Sequence, residues 1–188
     1  MQYKKILLTF LCFMFLISPA FAAEEMIVNG DFSQDGYGWR ESISSGNSGS
    51  ASISYSSQDL YEQDLAVYLT TVSGPDYVYA ALRQDVDLTD VETVTFELID
   101  IDIEQYSNWG GFVVSVGSTD VWERDVNSLS PNWESYSIDV SDYVGTYTLS
   151  FMLYMDSVSQ SGHQFKVGLR DVSALSLATA PSGFTGSL

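Results

Sequence analysis

The chain has 188 residues, with 25 Asp and Glu against 7 Lys and Arg, and a formal net charge of −18 at pH 7. Phosphate recognition needs Lys and Arg, so this balance speaks against nucleic acid and anionic membrane surfaces as partners. One cysteine, Cys12, speaks against a disulfide framework.

Residues 1–22 read as a secretory signal peptide. Lys4 and Lys5 precede an apolar run over 6–17, and Pro19 with the small-x-small triplet Ala20, Phe21, Ala22 closes it. The run is short for a membrane span; an uncleaved N-terminal anchor is the alternative. Cleavage after Ala22 leaves a cysteine-free exported domain over 23–178, held by a packed core, and a small polar tail over 179–188 that reads as a frayed end or linker. The expected location is therefore secreted, extracellular or at the cell surface. The acidic excess serves solubility in a salty medium. Divalent-cation binding is the sharper alternative.

Strand patterns then follow one another with almost nothing helical between them. Period-two runs lie at 50–57, 77–88, 93–104, 109–117, 133–140, 145–156 and 164–177. Each is rich in Val, Ile, Thr, Tyr or Phe, and Gly, Ser, Asn and Asp fill the gaps. Short strands in this number, without βαβ spacing, predict an all-β, antiparallel two-sheet sandwich.

The period assigns faces. Over 145–156, Tyr147, Leu149, Phe151, Leu153 and Met155 point to the core, and Thr148, Ser150, Met152, Tyr154 and Asp156 point away. Over 77–88, Val78, Ala80, Leu82, Val86 and Leu88 are core, which leaves Tyr77, Tyr79, Arg83, Asp85 and Asp87 on the opposite face. Over 93–104 the apolar face switches at Leu98–Ile99, which predicts a bulge or a change of environment there.

Three stretches carry a family likeness. "IVNGDFS" followed by "GW" opens the domain, "LRQDVDL" followed by "VTFELID" forms its middle, and "WESYSIDV", "GTYTLSF" and "FKVGLRDVSAL" close it. In this order, over most of residues 26–177, they resemble carbohydrate-binding modules of the family 4/9-like group. That resemblance implies a galactose-binding-like jelly roll. It implies that Phe32 and Trp39 anchor the sandwich near its start and that Trp133 is core. It also implies a structural calcium, but Ser33 and Arg170 stand where members often carry acids. Asp31, Asp35 and Asp171 are the substitutes available, since calcium accepts six to eight oxygens in loose geometry. Alternatively Arg170 supplies the positive charge by pairing with one of those aspartates.

Catalytic patterns are missing: no HExxH, GxSxG or P-loop occurs, and His163 is a lone loop histidine. Asp100, Asp102 and Glu104 alternate as a solvated strand face does, or as a ladder for a cation. Binding is the better fit. Four Trp, eleven Tyr and six Phe follow the signal, and aromatic faces stack on sugar rings. The candidate ligand residues are Tyr77, Tyr79, Arg83 and Tyr154, with Trp109 or Trp122 as a platform at the rim. A polysaccharide or cell-surface glycan is the expected partner. A structural or adhesive surface protein, using the sandwich as a unit of self-assembly, is the alternative.

Overall fold

Alternation of apolar and polar residues makes the strands and sets which face each side chain joins. The computed structural model describes residues 23–46, 49–56, 65–101, 110–125, 128–156 and 163–177. The expected signal peptide, the tail over 179–188, Asp102, Glu104 and Trp109 lie outside them. Among the described residues there are eleven strands: β1 (Glu24–Glu25), β2 (Arg40–Ser44), β3 (Ser50–Ser56), β4 (Ala66–Val72), β5 (Val78–Asp87), β6 (Val91–Asp100), β7 (Gly110–Val116), β8 (Thr119–Asp125), β9 (Glu134–Asp139), β10 (Thr146–Met155) and β11 (Gln164–Ser176).

The larger sheet has the order β3-β4-β11-β6-β9, and β1 extends it by pairing with the end of β11. The smaller sheet has the order β2-β5-β10-β7-β8. All pairs are antiparallel. The two sheets pack face to face as the expected jelly-roll sandwich.

Core residues fall where period two puts them. Val78, Ala80, Leu82, Val86 and Leu88 of the β5 stretch are buried, as are Leu149, Phe151, Leu153 and Met155 of β10. Across the gap Phe96 of β6 meets Phe151 edge-on, ring centroids 5.3 Å apart. Truncating such a ring to Ala costs about 3–5 kcal/mol in a packed core.

The opening motif forms a plug. Asn29 and Phe32 take left-handed backbone, φ 54° and 53°, and fold the Phe32 ring under the chain against Trp39 at 5.5 Å. Trp39 packs on Phe151 at 6.0 Å and donates its indole N–H to the Asn29 carbonyl at 3.1 Å. Gly30 is required where it stands: a Cβ there would come within 1.8 Å of the Val172 carbonyl oxygen.

Two expectations are corrected. No bulge occurs at Leu98–Ile99, because β6 stays in continuous register with β11 through Asp100, while its pairing with β9 ends at Leu98. The other alternative, a change of environment, is what occurs: Ile99 is buried on the outer face, beside the methylene of Gly168. The bulge lies in β11, between Arg170 and Ser173, where Asp171 turns to φ 51°. Trp133 is also not core. It lies half-buried on the outer face of the larger sheet, near Gly168, with the Arg170 guanidinium 4.1 Å over its ring.

Candidate functional site

The outer face of the smaller sheet is a grid set by strand register. Its first row runs Ser44, Tyr79, Tyr154, Gly111, Asp125 from β2 across to β8. Two residues along, the second row runs Ser42, Ala81, Met152, Val113, Glu123. The third row runs Arg40, Arg83, Ser150, Ser115, Asp120.

Gly111 gives the first row its shape. With no side chain on β7, the Tyr154 ring crosses the strand: a Cβ on Gly111 would sit 2.9 Å from both Cε1 and Oη of Tyr154. The Tyr154 hydroxyl then reaches β8 and donates to the Glu123 carboxylate at 2.6 Å. Burial, followed by this carboxylate, raises the Tyr154 phenol well above its ordinary value. Tyr77, just before β5, is 43% exposed. It stacks with Tyr154, centroids 5.9 Å apart and planes 24° from parallel, and lies 6.0 Å from Tyr79. Thus Tyr77, Tyr79 and Tyr154 form one cluster.

Arg83 stands four residues along β5 from Tyr79, roughly 13 Å at the usual strand rise. Among the described residues no ion pair engages its guanidinium. Its cross-strand neighbour Arg40 differs. Both terminal nitrogens of Arg40 bind the Asp85 carboxylate at 2.7 Å, and Thr148 donates to the same group at 2.6 Å. The hydrogen bond from Arg40, then that from Thr148, lowers Asp85 to about 2.

Trp122 does not join this face. It pairs with Val114 and points inward, packed edge-on to Phe96 at 5.5 Å and to Tyr136 at 5.0 Å. The cause is a register shift in β8. Asp120 pairs with Ser115 while Trp122 pairs with Val114, so Val121 is an extra residue that turns the indole to the other side.

Nor do the three aspartates expected for calcium come together. Asp31 and Asp171 border a shallow pocket that also touches Glu25, Asn29 and Gly30, and Asp35 is not among its lining residues. Asp31 already accepts from the Ser33 N–H at 3.1 Å and hydroxyl at 2.9 Å. Among the described residues no group of three or more His, Cys, Asp or Glu is placed to hold a metal ion. Arg170 takes the alternative role, with its Nε 2.7 Å from Glu97 and 3.7 Å from Asp171. His163 is structural through its backbone: its N–H donates to Ser73 Oγ at 2.9 Å and its carbonyl accepts from the Ser73 N–H at 2.7 Å.

Neither a protein-family model nor a curated protein matches the chain. Solved structures share its fold. The carbohydrate-binding module TmCBM61, solved with β-1,4-galactotriose, superposes with a TM-score of 0.51 at 14% identity, over 82% of this chain and 99% of that one. TmCBM27, a module described for specific mannan recognition, gives 0.52 at 10% identity, over 84% and 100%. The K1 cleaved adhesin domain of Lys-gingipain from Porphyromonas gingivalis W83 gives 0.51 at 13% identity, over 84% and 98%. At such identities the likeness establishes the sandwich fold.

Proposed function

We propose that the protein is a secreted, non-catalytic carbohydrate-binding module whose outer face on the smaller sheet holds a β-linked polysaccharide. The observation that carries this reading is the cluster of Tyr77, Tyr79 and Tyr154 on one side of one sheet, with Arg83 further along the same strand. Aromatic rings stack on the apolar faces of sugar rings, and a guanidinium donates to hydroxyls. The separation of Tyr79 and Arg83, roughly 13 Å, spans a few sugar rings. The fold shared with TmCBM61 and TmCBM27 is consistent with this role. The kinship to the family 4/9-like group rests on the order of the opening, middle and closing motifs.

Affinity electrophoresis through gels loaded with mannan, galactan, xylan, a β-glucan or a glucosamine polymer tests the reading. At least one polysaccharide retards the parent, and Tyr79→Ala and Arg83→Ala run faster in that gel while keeping the parent's circular dichroism. Retardation by none of them, or unchanged retardation of both variants, would refute it. A second reading, an adhesive surface protein, draws support from the shared fold of the gingipain adhesin domain. It takes over if no glycan binds and the protein self-associates.

A further inference from the structure

The aromatic end of the ligand face is also its acidic end. Glu123 accepts the Tyr154 hydroxyl at 2.6 Å. Asp125 closes the Tyr79–Tyr154–Gly111 row, and Asp156 follows the last residue of β10. The cations of this sheet are directed elsewhere. Arg40 is held by Asp85, Arg124 lies 5.9 Å over the inward-facing Trp122, and Arg83 is four residues along β5.

From this juxtaposition we infer that the face takes an amino-sugar chain, a β-linked glucosamine polymer in its protonated form. The inference rests on the carbohydrate-binding reading and names its substrate class. Sugar rings lie on the tyrosines, and the ammonium groups sit between aromatic faces and the carboxylates of Glu123 and Asp156. The physical case is charge complementarity. Aromatic faces are negative and attract cations. An anionic glycan approaches a chain of net charge −18 against its field. A neutral chain laid over Tyr154 covers carboxylates without giving them a counter-charge, which is costly. A protonated glucosamine unit supplies that charge and keeps the stacking surface.

Isothermal titration with the glucosamine hexamer and the N-acetylglucosamine hexamer, at mildly acidic pH, separates charge from chain shape. The glucosamine hexamer should bind about tenfold tighter, the scale of a partly desolvated cation–aromatic contact. That preference should shrink as salt rises from about 0.02 M to about 0.5 M, since nearby charges become screened. It should also be lost in the double variant Glu123→Gln, Asp156→Asn. Glu92→Gln, an exposed carboxylate on the larger sheet, should keep it. Equal binding of the two hexamers, tighter binding of the acetylated one, or an equal loss in Glu92→Gln overturns the inference. If mannan or galactan oligomers bind and glucosamine is not preferred, this inference falls and the carbohydrate-binding reading stands. If no oligosaccharide of any charge binds, both fall.

Discussion

Tyr154 occupies the space that a side chain on Gly111 would fill, and this fixes where its ring lies on the sheet. Gly111→Ala therefore acts on binding through Tyr154. The added methyl also meets the Arg124 carbonyl at 3.0 Å, so the neighbouring ring is the part that yields. Polysaccharide affinity should fall about tenfold, near the 1–2 kcal/mol expected for losing one stacked ring. Titration calorimetry and a thermal melt check this together: weaker binding with a preserved cooperative transition is the expected pair. Unchanged affinity would detach Tyr154 from the site.

Asp85 gives the face an acid-sensitive support. Its folded-state value is lowered to about 2 by Arg40 and Thr148. A carboxylate lowered in this way adds stability that is fully present above its ordinary range, about pH 4, and is lost as pH falls through its folded value. The parent should thus lose this contribution between about pH 4 and pH 2, and Asp85→Asn should lack that part of the acid limb. Urea midpoints measured across this window decide it. The group is exposed at the surface, so added salt should reduce the difference. Parallel midpoint curves for parent and variant would contradict the assignment.

Gln84 is the buried polar tie between the N-terminal plug and the smaller sheet. It is 5% exposed. It accepts from the Val28 N–H at 2.8 Å and donates to the carbonyls of Val28 at 2.9 Å and Gly38 at 3.2 Å. Gln84→Leu keeps much of the volume and strands these backbone groups. The expected cost is about 1–3 kcal/mol per unsatisfied group, read as a lower denaturant midpoint at constant slope. A neutral effect would show that the plug does not depend on this tie.

The fold was legible wherever strands have one wet face. The stretches over 77–88 and 145–156 alternate cleanly, and β5 and β10 match them with their cores and outward residues as expected. Three strands left weaker signals. In β4, Ala66 to Leu69 are buried on both sides, which erases the alternation. In β2 and β8, "RESIS" and "TDVWERD" lie at sheet edges and carry mostly polar residues. At the site, Tyr77, Tyr79, Arg83 and Tyr154 were readable because period two needs no tertiary knowledge. Trp122 was misplaced because no strand was read over 119–125, so nothing assigned it a face; in β8 the bulge residue Val121 leaves the indole pointing inward. Gly111 and Glu123 were not singled out, because their roles depend on which strands lie beside β10. A glycine pair at the start of β7 was the one available signal.

The claim that the outer face of the smaller sheet is the binding surface is tested most directly by amide and side-chain NMR during titration with a retained oligosaccharide. The account predicts shifts that track binding at Tyr79, Arg83, Gly111 and Tyr154, with Trp133, Tyr68 and Lys166 of the larger sheet unmoved. Shifts concentrated at Trp133 and its neighbours, with the tyrosine cluster silent, would contradict it.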